Sequence, residues 1–177
     1  MTTTPPAADP ATAFALSARM LSGSLMGALV FLGVAMSFVL GTAASPPVWV
    51  PLAQILAGAV MYFVVEAIGY RPQPLDPGMS DVDAATAGRV RWQSSMILRF
   101  ALIEVIAIVS LVAAFVIDGG VWTYAVGALV SLALMAVHVW PGVRSISRTA
   151  DALEAQGRTS FLREAFGLPA PGPLQQF

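Results

Sequence analysis

Four ionisable side chains lie within or beside long apolar segments of the chain: Glu66, Arg99, Glu104 and His138. A carboxyl group, a guanidinium and an imidazole in apolar surroundings are the groups from which proton relays, ion sites and interhelical contacts are built. Two of them fall in the run "MILRFALIEVIAIVSLVAAFVIDGG", Met96 to Gly120, which is otherwise almost wholly apolar. These four residues are the candidate intramembrane polar site.

Glu66 and Arg99 are expected at matching depths, because each lies roughly 6–8 Å from the basic edge of its segment at 1.5 Å of helix rise per residue. The sequence therefore predicts an ion pair between them that joins two neighbouring segments, with the Arg99 side chain reaching toward the membrane surface. His138 lies nearer the same edge, beside Trp140, and is interpreted as an interfacial residue rather than a metal ligand.

Glu104 lies deeper, about 15 Å into its segment, and Arg99 is turned about 140° away from it on the same helix. Because desolvation disfavours the charged form of a carboxyl group, we expect Glu104 to be protonated. Two roles fit such a group. It donates a hydrogen bond to another helix, or it carries a proton or cation across the membrane.

Other classes of chemistry have no support in the composition. There is no cysteine, only one histidine and no lysine, and the nine arginines nearly balance ten acidic residues. Neither a metal cluster, a cofactor motif nor a catalytic Ser/His/Asp set can be assembled, so we expect no enzyme activity, no cofactor and no metal. The absence of a basic run also argues against a nucleic-acid partner.

The elements that must position these residues are four apolar segments. The chain is 57% hydrophobic and only 11% charged, and a bilayer core needs about 20 helical residues. The sequence predicts an all-α membrane protein with four transmembrane helices in a domain of residues 19–143. The predicted spans cover residues 20–41, 48–70, 95–117 and 121–140.

Orientation is predicted from the arginines. Arg19, Arg71, Arg89 and Arg91 flank the spans on one side, as do the arginines after the fourth span, whereas the two short loops carry none. The positive-inside rule places that side in the cytoplasm. We therefore expect a multi-pass protein of the bacterial inner membrane with both termini cytoplasmic.

The segments outside the spans are predicted as tails. Residues 1–18 are interpreted as a disordered cytoplasmic tail. Residues 144–177 are interpreted as a polar helix interrupted at Gly157, followed by a short apolar face of Phe161, Leu162, Ala165 and Phe166. That face either lies on the membrane surface or belongs to a loosely ordered tail.

Two patterns bear on how the spans pack. "VW" opens the second and fourth spans, and Gly69 to Arg71 matches Gly142 to Arg144 at the same offset. This repeat indicates two tandem antiparallel hairpins. The first span also carries a stripe of small residues, which predicts close packing either within the chain, which we favour, or against a partner; the stripe comprises Gly23, Gly27, Gly33, Ser37 and Gly41.

The runs "ILRFALIE" in the third span and "GSLMGALVFLGVAMSFVL" in the first resemble those of uncharacterised bacterial four-span membrane proteins. More distantly, the chain resembles the proteolipid c subunits of rotary ATPases, whose hairpins carry one buried carboxylate. The resemblance implies that Glu104 is that acid. This chain departs from the rotor-subunit pattern in two respects: Glu104 lies in the first helix of its hairpin, and no polar loop joins the two helices of a hairpin.

Two functions are therefore expected. The first is a non-catalytic subunit, an accessory or scaffold component that packs in the bilayer against other membrane-protein subunits or against itself. The second is a small homo-oligomeric transporter or proteolipid that moves protons or ions through Glu104.

Overall fold

The computed structural model describes residues 10–169 and is helical, with no strand in that range. Four of its helices are long and apolar enough to cross a membrane, which confirms the predicted all-α class with four spans. In chain order the helices are α1 Pro10–Leu40, α2 Trp49–Ile68, α3 Asp81–Val116, α4 Gly120–His138, α5 Val143–Leu153 and α6 Leu162–Ala165.

The ends of the helices follow from local chemistry. α1 stops at Gly41, whose φ of 70° is the left-handed conformation that glycine adopts without strain. Ser80 caps the start of α3, because its hydroxyl accepts a hydrogen bond from the Asp83 amide at 3.2 Å. Asp81 and Asp83 place negative charge in the first turn, where the helix dipole favours it.

α4 is the central helix of the bundle. It packs most extensively against α3 and also contacts α1 and α2, whereas α1 and α2 do not touch each other. Tyr124 of α4 explains one side of this arrangement, because its hydroxyl donates to the Leu29 carbonyl of α1 at 2.8 Å. On the other side Val130 packs over Gly58 of α2. The first predicted hairpin is thus open, with α4 between its two helices.

The two short loops meet at one end of the bundle, which we call the loop end. The Val121 amide donates to the Gly41 carbonyl at 3.1 Å, and the Trp122 indole donates to the Thr42 carbonyl at 3.0 Å. At the opposite end, the arginine end, the Leu75 amide of the α2–α3 loop donates to the Leu153 carbonyl of α5 at 2.8 Å. The arginines that flank the spans are at that end.

Two helices extend beyond the predicted spans. α1 begins at Pro10, so the prediction of a disordered tail is wrong for residues 10–18, while residues 1–9 lie outside the described range. α3 has 36 residues, about 54 Å of helix, and its first turns project beyond a hydrocarbon core of about 30 Å. Hydropathy marks only the apolar part of each helix.

The C-terminal segment folds back onto the bundle. Leu162, Ala165 and Phe166 are buried, and the ring of Phe166 lies 5.6 Å from that of Phe14 and 5.0 Å from that of Trp92. The predicted apolar face therefore neither lies on a membrane surface nor belongs to a loose tail. Its aromatic contacts with α1 and α3 explain the difference. Residues 170–177 lie outside the described range.

The small-residue stripe of α1 does not pack within the chain as predicted. A Cβ built on Gly23 or Gly27 meets nothing within 4 Å, because this side of α1 faces outward. Only Gly33 makes a close interhelical approach, to the ring of Tyr124 at 3.2 Å. Ser37 donates to the Val34 carbonyl of its own helix at 2.7 Å, and Gly41 ends the helix.

The closest helix contact instead involves a glycine of α4. A Cβ on Gly127 would lie 1.8 Å from the Ser110 hydroxyl of α3. Gln54 of α2 reaches the same place, where its amide donates to Ser110 at 2.9 Å and to the Thr123 carbonyl at 2.7 Å. The spacing of Gly127 and Ser131, two small residues four apart in the fourth span, was the available sequence signal.

Candidate functional site

Three of the four predicted site residues come together at the arginine end, where α2, α3, α4 and α5 converge. We call this group the arginine-end cluster; it comprises Tyr62, Glu66, Tyr70, Arg99, His138, Arg144, Arg148 and Thr149. Glu104 lies elsewhere, between α1 and α3. The sequence therefore pointed to two separate polar sites rather than to one.

Glu66 pairs with α5, and the predicted ion pair with Arg99 is wrong. Its Oε1 lies 2.9 Å from Arg144 Nη2, and its Oε2 accepts from Arg148. α5 starts directly after the short turn that follows α4, so Arg144 and Arg148, four residues apart, present their side chains on one face. That spacing was visible in the sequence, but the return of α5 toward α2 was not.

Arg99 is fully buried and has no carboxylate within ion-pair distance among the described residues. Its Nη1 donates to the Thr149 hydroxyl at 3.2 Å, and its guanidinium carbon lies 4.3 Å from the centre of the Tyr70 ring. This cation–π contact takes the place of the expected anion. The side chain therefore does not reach toward the membrane surface as predicted but is covered by α5.

A glycine makes the burial of Arg99 possible. A Cβ on Gly69 would lie 2.6 Å from Arg99 Cγ, so any other residue at the end of α2 would displace the arginine stem. Ser95, one turn before Arg99, donates to the Gly69 carbonyl at 2.7 Å. Within the described residues the Nε and Nη2 atoms of Arg99 have no hydrogen-bond partner.

His138 is the last residue of α4 and is buried among the helices. The Tyr70 hydroxyl lies 3.0 Å from its Nδ1, and Glu66 Oε1 lies 3.6 Å from the same nitrogen. A catalytic relay places its two partners on opposite ring nitrogens, whereas Tyr70 and Glu66 share one. Residues 10–169 also contain no group of three His, Asp or Glu side chains suited to a metal ion. The cluster is arranged as a polar joint between helices.

Glu104 lines a small cleft of about 90 Å³ between α1 and α3. Its neighbours there are apolar apart from the ring of Tyr124; they are Ala28, Leu29, Leu32, Ala107, Ile108 and Leu111. The Tyr124 hydroxyl is already engaged with the Leu29 carbonyl. Among the described residues, no hydrogen bond to Glu104 is formed.

The depth of Glu104 makes this lack of a partner significant. It lies twelve residues before the end of α3 at Val116, about 18 Å along the helix axis, in a bilayer whose apolar core is about 30 Å thick. Leaving a polar group unsatisfied in that core costs several kcal/mol. The carboxyl group is partly exposed at the side of the bundle, where another molecule can reach it.

A separate ionic group fixes the C-terminal segment. Arg163 donates to Glu154 at 2.7 Å and to Asp151 at 2.5 Å, and the Ser160 hydroxyl donates to Glu154 at 2.7 Å. Burial alone would raise the pKa of Glu154, but the hydrogen bonds from Ser160 and Arg163 outweigh it and lower this pKa below its ordinary value.

Comparison of the chain with models of protein families, with curated proteins and with solved structures finds no match. The resemblance to bacterial four-span proteins and to rotary c subunits therefore stays a prediction from the sequence.

Proposed function

We propose that the chain is a non-catalytic subunit of a larger membrane complex, with Glu104 as its point of contact with a partner helix. The observation that carries the proposal is a mid-depth carboxyl group, open to the side of the bundle, with no hydrogen-bond partner among the described residues. The neutral form of this carboxyl group would donate a hydrogen bond to a carbonyl or hydroxyl oxygen of a partner helix. Such bonds contribute about 0.5–2 kcal/mol in membranes.

α1 is suited to lie beside that partner. Only 6% of its most apolar stretch is buried, compared with 44% for α4, and α1 forms one wall of the Glu104 cleft. A helix that lies along α1 and α3 therefore reaches the carboxyl group without displacing any contact of the chain's own core. The outward-facing Gly23 and Gly27 leave the backbone of α1 accessible on another side.

The proposed location is the bacterial inner membrane, with both termini in the cytoplasm. Support comes from the gathering of the flanking arginines at one end of the bundle, which the positive-inside rule assigns to the cytoplasmic side. The loop end carries no arginine.

Ion translocation through Glu104 is the competing function. A translocation route needs further polar or titratable groups along it, and in this cleft the only one besides Glu104 is Tyr124. A route would thus have to be completed by other subunits. The geometry of the single chain supports a binding role better.

Photo-crosslinking in native membranes tests the proposal. A photoreactive residue at Ile108, which lines the cleft and is half exposed, should give a discrete adduct with another membrane protein. A matched probe at Phe63, an exposed position on α2, should not give that adduct. Glu104→Gln keeps a donor and should retain the adduct, whereas Glu104→Leu should reduce it. An adduct that is insensitive to Glu104→Leu would contradict the proposed contact.

A further inference from the structure

A second polar recess opens at the arginine end, between the end of α2, the loop after it and α3. We call it the α2–α3 cleft. It has a volume of about 250 Å³ and is lined by Gly69, Arg71, Gln73, Arg91, Ser94 and Leu98, among others. None of its lining residues is acidic. It is distinct from the arginine-end cluster, whose arginines are Arg99, Arg144 and Arg148.

The two arginines of the α2–α3 cleft have N–H donors without a hydrogen-bond partner among the described residues. Arg91 Nη1 donates to the carbonyls of Gln73 and Pro74 at 2.8 and 2.7 Å, which fixes the side chain while its Nε and Nη2 make no hydrogen bond within the described residues. Arg71 is exposed, and in the same part of the chain it forms neither a hydrogen bond nor an ion pair. A fixed guanidinium beside a second one is suited to bind phosphate oxygens.

The cleft is also continuous with lipid-facing surface. Ile68 and Leu98 line it and are about half exposed. Farther along the same two helices lies an apolar groove of about 610 Å³, lined by Met61, Val105 and neighbouring residues. From Ser94 to Val105 the helix rises about 17 Å, close to the half-thickness of an apolar core of about 30 Å.

We propose that the α2–α3 cleft binds the phosphate of an anionic phospholipid, with Arg71 and Arg91 holding the head group and an acyl chain lying along the groove between α2 and α3. The net positive charge of the cleft selects a head group without a compensating cation. The apolar groove farther along α2 and α3, toward mid-depth, favours a lipid over a soluble phosphate. This inference does not depend on the proposed role of Glu104.

Native mass spectrometry of the full chain in a mild non-ionic detergent tests the inference, with phosphatidylglycerol and phosphatidylcholine added in equal amounts. We expect the wild-type chain to retain phosphatidylglycerol preferentially. Arg71→Gln should weaken that binding about fivefold, the effect of one basic residue at a membrane surface. Arg19→Gln makes the same charge change at the same end of the bundle but outside the cleft, and it should bind as the wild type does.

A second variant and two contrary outcomes complete the test of the α2–α3 cleft. Arg91→Gln should weaken binding at least as much. If the loop that Arg91 holds no longer folds, Arg71→Gln decides alone, because Arg71 makes no hydrogen bond or ion pair within residues 10–169. Equal loss in Arg71→Gln and Arg19→Gln would overturn the site and leave only diffuse charge attraction. Inorganic phosphate that displaces the lipid completely, and binds with the same dependence on Arg71, would overturn the lipid as the occupant.

Discussion

At the scale of single residues, the arginine-end cluster pairs its carboxylate with some of its arginines and not with others. Glu66 neutralises arginines of α5, which are partly exposed, while the buried Arg99 lies against an aromatic ring and a hydroxyl group. Tyr70 connects the two parts, because it contacts both Arg99 and His138. The cluster thereby joins α2, α3, α4 and α5 at the level where the apolar segments end.

Two double-mutant cycles test which arginine is paired with Glu66. The cycle of Glu66→Gln with Arg148→Gln should show a coupling of about 0.5–1 kcal/mol, since the arginine is partly exposed. The cycle of Glu66→Gln with Arg99→Met should show less, because the two side chains are not paired. Both are read from the free energy of unfolding in detergent. A larger coupling in the Arg99 cycle would restore the pairing predicted from the sequence.

The Glu154 contacts predict a pH dependence of the C-terminal segment. The folded state lowers the pKa of Glu154, so folding is favoured above the ordinary pKa of a glutamate and this stabilisation is lost as the pH falls through the folded value. At neutral pH, Glu154→Gln should accelerate hydrogen exchange in residues 143–168. Below the folded pKa, wild type and variant should exchange alike. A difference that persists unchanged into acid would contradict the role of the ionised carboxylate.

The sequence identified the ionisable residues but not most of their partners. Apolar runs make Glu66, Arg99, Glu104 and His138 conspicuous without any structure. Their partners depend on where α5 packs, and the sequence predicts a polar helix after the fourth span without indicating which spans it contacts. Thr149 and Arg148 could therefore not be assigned to Arg99 and Glu66 in advance.

At the scale of elements, α4 holds the bundle together through a close contact with α3. The ends of α2 and α4 were predicted to within two residues because a bilayer demands about 20 apolar residues whatever the fold, whereas α1 and α3 begin well before their predicted spans. The helix neighbours were not predicted, because apolar segments carry little information on which face meets which. For this reason the small residues of α1 suggested a close helix contact that most of them do not make. Gly127 of α4 makes such a contact instead, with Ser110 of α3.

Replacing Gly127 tests the contact between α3 and α4. Gly127→Ala places a methyl group within 1.8 Å of the Ser110 hydroxyl, and overpacking of this kind costs about 1–3 kcal/mol. The matched control is Gly27→Ala on the open side of α1, where helix propensity favours alanine slightly. Unfolding in detergent should separate the two variants. Equal stability of both would show that α3 and α4 do not approach closely at Gly127.

At the scale of the whole molecule, the two ends of the bundle differ in chemistry. The loop end consists of short, uncharged or acidic turns, whereas the other end gathers the arginines, α5 and α6. Both ends of the described chain reach this second end, because Phe14 and Phe166 are in contact there. A single orientation in the membrane follows if that end is cytoplasmic.

Cysteine labelling tests the orientation, and the chain has no cysteine to interfere. A membrane-impermeant thiol reagent added to intact cells should label a cysteine at Ser45, which is exposed at the loop end. It should not label one at Ala155, exposed at the arginine end, until the membrane is permeabilised. Labelling of Ala155→Cys alone in intact cells would invert the proposed topology.

The most direct test of the proposed function is the size of the particle that contains the chain when native membranes are dissolved in gentle detergent. We expect the wild-type chain and Glu104→Gln to migrate on a native gel in a complex much larger than one 18.5 kDa chain. Glu104→Leu should shift toward the free chain, because it removes the mid-depth carboxyl group that has no hydrogen-bond partner among the described residues. Unchanged migration of Glu104→Leu, or loss of a proton flux in the normally assembled Glu104→Gln variant, would contradict the binding role of Glu104.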